Sequence, residues 1–309
     1  MLKDGRVQLA EPDYNVSYLE SGMSFKFDSN SVLNPSAASS AASNQWVWSK
    51  TSLNKAKAVS QGNNVTLAIL DTGVNYALAQ FNGKVTTGYS VFDGADGMDV
   101  NGHGTFVAGV VNQVAPQARI IPVRVLDVNG TGSMSGVING VNYAVTHGAK
   151  IINMSFSTPT YSKVLEKLIK SLAAKDVVVV AAVGNDNSSS VYYPAGFEGV
   201  LAVGGTDVDD NKAAFSNFGT YLGLGAPSTT IYSYWWKGGY AWGDGTSFAA
   251  PIAGGAAALY RSMHPWTTAQ TTRQVLEGAV DAYPLSCSIC ADSNSLGSGR
   301  LNLMKVVTS

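Results

Sequence analysis

The chain has 309 residues, a formal net charge of −1, and 45% hydrophobic against 13% charged residues. That is length and apolar content for a large α/β core, with a surface that relies on Ser, Thr, Asn and Gly more than on charge. Lys plus Arg (20) only balance Asp plus Glu (21), which argues against a nucleic-acid partner, and no apolar run approaches the roughly 20 residues of a membrane-spanning helix.

The first 16 residues (MLKDGRVQLAEPDYNV) lack the apolar middle of a signal peptide. As written, the chain either works inside the cell or is a mature part whose leader has been removed. Residues 29–44 (SNSVLNPSAASSAASN) are poor in large apolar side chains and read as an irregular connector. From Gln45 the pattern tightens. Residues 65–70 form a nearly continuous apolar run, as expected of a strand buried on both faces of a parallel sheet, and similar runs follow at 119–126, 150–154, 176–183 and 200–204. Between them, 135–146 and 161–175 carry helical spacing, the second with Val164, Leu165, Leu168 and Leu172 on one face. Strands alternating with helices predict right-handed βαβ units: an α/β fold with a mostly parallel central sheet and helices on both faces. In such sheets, sites form at the carboxyl ends of the strands.

Three segments stand at such places. Asp71 (LAILDTGVN) follows the first strand run, where an Asp before Gly ordinarily makes a turn. His103 (NGHGTFVAGVV) is flanked by glycines and leads into a helix; the other two histidines, His147 and His264, sit near helix ends. Ser247 (GDGTSFAAPIAGG) opens a small-residue helix running to about Met263, where a serine is ordinarily an N-cap. The same geometry also aims a helix N-terminus at a nucleophile and at an oxyanion beside it.

In order, DTG, NGHGT and GTSxAxP resemble the three signatures of the subtilisin-like protease family, over about residues 45–305. The resemblance implies a subtilisin-like three-layer sandwich and a serine endopeptidase acting through a covalent acyl-enzyme. Ser247 would be the nucleophile, His103 the general base and then acid, and Asp71 the group that orients the imidazole. Asn185 (VVVVAAVGNDN) matches the family's side-chain oxyanion donor, with Gly184 before it. Two segments, Gly130-Thr131-Gly132 and Ser155-Phe156-Ser157, would flank an extended polypeptide substrate and pair with it as an added strand. Ser157 and Tyr192 stand where many relatives carry Gly in the pocket for the residue before the cut, so large aromatic residues should be disfavoured there.

The resemblance also implies a division of the chain. GRVQLAEPDYNV is similar to the last part of the family's inhibitory propeptide, so residues 1–44 read as a propeptide-tail-like segment and linker, able to occupy the cleft, and 45–309 as the catalytic domain. Export is the family's commoner condition, which favours a secreted, processed form. No cofactor is required for the chemistry. Calcium as a structural ion would have to use Asp93, Asp96 and Asp99 in one loop before His103, although these lack a recognisable ligand spacing. Cys287 and Cys290 allow a tight local disulfide or a reduced pair. Two competing readings keep the same residues: a non-cleaving peptide-binding relative, and an enzyme that passes the acyl group to an amine or cleaves esters.

Overall fold

Residues 9–17, 24–28, 44–284, 287 and 295–309 are described by the computed structural model; the linker segment 29–43 and Cys290 lie outside them. The apolar run after Val65 is strand β3 (Thr66–Asp71), buried at five of its six positions because both of its faces are covered. Its alternate side chains enter two separate cores. Leu67 and Ile69 face one, Ala68 and Leu70 the other.

The remaining sheet strands are β4 (Tyr89–Ser90), β5 (Arg119–Arg124), β7 (Ile151–Met154), β8 (Val178–Ala182), β9 (Val200–Thr206), β10 (Leu224–Pro227), β13 (Val280–Asp281) and β14 (Arg300–Leu301). They form one sheet in the order β13-β14-β10-β9-β8-β7-β3-β5-β4, parallel throughout except for the β13–β14 pair. The four runs after the first thus fall on β5, β7, β8 and β9. Helices α1 (Gln45–Lys50) and α2 (Leu53–Lys57) precede the sheet, and α3 (His103–Val114), α4 (Met134–Thr146) and α5 (Lys163–Ala173) connect its strands. Helix α6 (Thr246–Met263) is buried from Thr246 through Arg261, and α7 (Ala269–Gly278) and α8 (Leu303–Val307) complete the chain.

Helices α3 and α6 pack on the Leu67 face, and α4 and α5 on the opposite face, which makes three layers. The small residues of α6 let it approach α3 closely: a Cβ at Gly255 would stand 2.6 Å from Val114. The chain winds from β3 outward to β5 and then returns to place β7 on the other side of β3. The crevice of this reversal opens at the carboxyl ends of β3 and β7, where Asp71 and Ser155 lie.

Two more strands come from the N-terminal segment, which has little local signal of its own. Strand β1 (Asn15–Ser17) pairs antiparallel with β6 (Thr131–Ser133), matching Val16 to Gly132. Strand β2 (Ser24–Asp28) adds to the hairpin of β11 (Ile231–Tyr234) and β12 (Tyr240–Asp244), matching Phe25 to Gly243. No helix among the described residues is long and apolar enough to cross a membrane.

Candidate active site

The end of β3 and the start of α3 bring Asp71 and His103 together. Asp71 Oδ1 lies 2.7 Å from His103 Nδ1, and both side chains are fully buried. The same carboxylate oxygen accepts from the amide of Thr72 at 2.7 Å, which fixes its orientation. Gly104 is required by the approach of α3 to this turn, since a Cβ there would stand 2.0 Å from the carbonyl oxygen of Gly73.

Asp99 holds the loop that delivers His103. Its Oδ1 accepts from Thr72 Oγ1 (2.9 Å) and from the amides of Asn101 and Gly102 (2.9 Å each), and its Oδ2 accepts from the amide (2.9 Å) and hydroxyl (2.5 Å) of Thr105. Thr72 Oγ1 in turn accepts from the amide of Gly104 at 3.0 Å, linking the turn after Asp71 to the first turn of α3. Five donors converge on one buried carboxylate, which is an anchor for the loop. This corrects the expectation of a calcium loop. Asp93 caps its own turn through the amide of Ala95, Asp96 accepts from the Tyr76 hydroxyl and the Met98 amide, and Asp99 has both oxygens saturated. No cluster of three or more metal-ligating side chains occurs among the described residues.

Ser247 occupies the first turn of α6, 2% exposed, with its Oγ donating to the carbonyl of Ser155 at 3.0 Å. The helix carries Pro251 four residues later. Proline has no N–H, so the carbonyl of Ser247 lacks its helical donor. The Ser155 hydroxyl supplies the missing bond at 2.8 Å and is itself held by Asn153 Nδ2 at 2.9 Å. The proline of the GTSxAxP run therefore ties Ser247 to the end of β7. Ser155 serves Ser247 directly in this arrangement.

Asn185 follows β8 on a loop fixed by Asn217, which accepts from the amides of Asp186 (3.0 Å) and Ser188 (2.9 Å) and donates to the carbonyl of Val183 (2.9 Å). Gly184 is needed here: its φ is +105°, and a Cβ would stand 2.4 Å from Asn217 Nδ2. Asn185 Oδ1 accepts from the amide of Thr246 at 2.7 Å, while Nδ2 is buried without a partner among the described residues. The Ser247 amide lies in the first helical turn, where no intrahelical acceptor exists. Two uncommitted donors therefore flank the serine.

The segments expected to flank a substrate lie on either side of a strand already present. The carbonyl of Gly130 accepts from Ser17 Oγ at 3.1 Å, and Gly132 allows the close packing of β6, since a Cβ there would stand 2.1 Å from the carbonyl oxygen of Val125. Ser157 and Ser17 exchange both backbone hydrogen bonds, at 3.1 and 3.5 Å. Residues 15–17 thus add a strand between the two segments. The Phe156 side chain is 1% exposed and belongs to the α4–α5 core, which is compatible with the main-chain role expected of this segment. Tyr192 packs against Gly184, where a Cβ would come within 3.1 Å of its ring.

Two carboxylates of the tail dock on helix N-termini. Glu11 accepts from the Ser162 hydroxyl and from the Lys163 amide (3.0 Å) at the start of α5, and Asp13 accepts from the Ser135 amide (2.8 Å) and hydroxyl (2.7 Å) at the start of α4. The Ser135 bonds hold the Asp13 carboxyl below its ordinary range. The ring of Phe25 meets those of Phe106 (5.3 Å), Trp235 (5.4 Å), Phe248 (5.5 Å) and His103 (6.2 Å). Cys287 is disulfide-bonded, which removes the reduced alternative.

Sequence reading did not single out Asp99 as an anchor, nor Thr72, Asn217, Trp235 or Phe25. Phe25 and Phe27 alternate in SFKFD, the one local signal that would have marked β2. Thr72 and Asn217 act through hydrogen bonds to backbone that is distant in sequence, Asp99 through Thr72 and the amides of its own loop, and Trp235 through a ring contact.

A sequence model of the subtilase family matches residues 62–299. The chain is 37% identical over 253 residues to a thermophilic serine proteinase of Bacillus sp. (strain AK1), covering 78% of this chain and 61% of that protein's length. It is 35% identical to subtilisin DY of Bacillus licheniformis, covering 79% and 90% of the two chains, and 34% identical to thermitase of Thermoactinomyces vulgaris, covering 81% and 90%. Among solved structures it is similar to a cold-adapted subtilisin-like serine proteinase (TM-score 0.72, 33% identity, 78% and 89% covered) and to a protease from Pseudoalteromonas arctica (TM-score 0.78, 26% identity, 86% and 96% covered). The chain belongs to the subtilase family, as a subtilisin-like serine protease.

Proposed function

We propose that the chain is a serine endopeptidase in which Ser247 attacks the scissile carbonyl, His103 takes and returns the proton, and Asp71 holds the imidazole. The observation that carries this reading is the buried 2.7 Å contact of Asp71 Oδ1 with His103 Nδ1. A carboxylate accepting there keeps the proton on Nδ1 and leaves Nε2 as the base, and it stabilises the imidazolium formed on attack. The Ser247 hydrogen, directed at Ser155 O in the resting chain, turns to the imidazole as the nucleophile adds. The oxyanion that forms takes hydrogen bonds from Asn185 Nδ2 and the Ser247 amide. The imidazolium then protonates the leaving amine, and water completes the hydrolysis of the acyl-enzyme by the same base.

The N-terminal segment supports a polypeptide as substrate. Its residues 15–17 lie in the groove as an antiparallel strand held by main-chain bonds, the mode in which an extended chain of variable sequence is recognised. We assign residues 1–44 to a propeptide-tail-like segment and linker and 45–309 to the catalytic domain, the tail acting as an internal ligand of the cleft until it is cut. A secreted, processed form fits that arrangement. The residues implicated require no cofactor. The test is casein hydrolysis by wild type and Ser247→Ala, with the length of each chain followed by mass spectrometry. Activity and tail loss in wild type alone are expected. Casein cleavage by Ser247→Ala overturns the assignment, and full wild-type activity with an intact Met1 terminus overturns the role of the tail.

A further inference from the structure

Strand β2 rests on a surface whose chemistry is specific. Strand β12 ends at Asp244, three residues before Ser247, and β2 adds to its edge with Phe25 opposite Gly243. Cross-strand partners project on the same face of a sheet, so Phe25 lies on the face where Gly243 leaves a space without a side chain. That space is closed by aromatic rings. A Cβ at Gly243 would stand 2.6 Å from Phe248 and 3.1 Å from Phe106, and Trp235, near the turn of the hairpin, covers the ring from the other side at 5.4 Å. His103 forms the inner wall, edge-on at 6.2 Å.

Direction assigns this slot to one side of the reaction. The tail runs from β1, in the groove of Ser157 and β6, to β2 on β12. A substrate bound in the same direction places the residues before the cut along β6 and those after it along β12. From the register and the ring wall, we propose that the slot of Trp235, Phe106 and Phe248 beside the β12 edge selects an aromatic side chain on the leaving-group side of the substrate. The substrates singled out are extended polypeptides with Phe, Tyr or Trp shortly after the scissile bond, and Phe25 is the chain's own occupant of the slot. The inference rests on Ser247 as nucleophile.

The test is a set of internally quenched peptides with one fixed sequence before the cut and a single Phe moved through the four positions after it, against an all-Ala reference. The full chain is used as isolated, and its active sites are counted by the burst from a p-nitrophenyl ester, which has no peptide on the leaving side. One position is expected where Phe raises kcat/KM at least about tenfold over Ala. Trp235→Phe should keep that ratio. Trp235→Ala, which opens the slot, and Gly243→Ala, which fills it, should each bring it below about threefold. A burst with a flat scan overturns the inference alone, as does a ratio that persists in Trp235→Ala or Gly243→Ala, whichever of the two gives a burst. No burst from wild type overturns the nucleophile assignment and this inference with it.

Discussion

Asn185 and Thr246 meet through a single oxygen: Asn185 Oδ1 accepts from the Thr246 amide at 2.7 Å and from its hydroxyl at 2.9 Å. Both donors fall on the carbonyl end of the side-chain amide, which leaves the NH₂ end uncommitted. The residue before Ser247 thus sets which way the side-chain amide of Asn185 faces. Asn185→Ala is expected to lower kcat about 10²- to 10³-fold with KM little changed, the cost known for the equivalent donor in a subtilisin. Steady-state kinetics on a peptide anilide checks it, and a loss confined to KM would contradict an oxyanion role.

Asp99 should matter to activity through the placement of His103. Asp99→Asn puts an NH₂ where donors converge, removing acceptors for Thr72 or for Thr105. A stability loss of about 2 kcal/mol follows from stranding buried donors, together with a fall in kcat larger than the change in KM. Denaturant unfolding and kinetics measure the two. Thr72→Val, which cuts the link to Gly104, should reproduce the kcat loss with a smaller stability loss.

Docking of the tail should respond to acid through Asp13. Its carboxyl is held low by the Ser135 bonds when docked, so its contribution is complete above the ordinary Asp value, about pH 4, and is lost as pH falls through the lowered one. The affinity of a labelled peptide spanning residues 9–28 for the processed enzyme, followed by anisotropy, should weaken below about pH 4. Asp13→Asn in the peptide should remove that dependence and weaken binding about two- to fivefold at neutral pH, as befits an exposed carboxylate at a helix N-terminus. An unchanged acid response in Asp13→Asn would contradict the assignment.

Tyr192 should restrict the pocket before the cut. Its ring packs on Gly184, immediately before Asn185, and occupies volume that a glycine would leave open. Tyr192→Gly is expected to raise kcat/KM for peptides cut after Phe relative to those cut after Ala by about tenfold. Wild type that already cleaves best after Phe or Tyr would sink this reading.

Five of the nine strands of the central sheet, and the four residues of the proposed catalytic centre, were legible in the sequence because each carries its signal locally. A strand buried on both faces must be apolar at consecutive positions, and Asp71, His103, Asn185 and Ser247 each sit in a short run whose glycines answer a close approach or a positive φ. The supporting atoms were not legible. Asp99 looked like a calcium ligand because a carboxylate in a Gly-rich loop fits either role until its donors are known, and those come from Thr72 and Thr105 as well as from its own loop. Strands β1 and β2 escaped notice because they exist by pairing with edges elsewhere, β6 and β12, and the three residues of β1 carry no periodicity of their own. Gly132 and Gly243, the partners that admit them, lie more than 100 residues later.

The central claim is that Ser247 is the nucleophile and that Asp71 and His103 activate it. The measurement that tests it most directly is labelling of the full chain by a peptidyl phosphonate, with the modified residue located by peptide mass spectrometry in wild type, His103→Ala and Ser247→Ala. One label per chain on Ser247 in wild type, a rate reduced at least about 10³-fold in His103→Ala, and none in Ser247→Ala are expected. Labelling at another residue, or an undiminished rate in His103→Ala, would contradict the account.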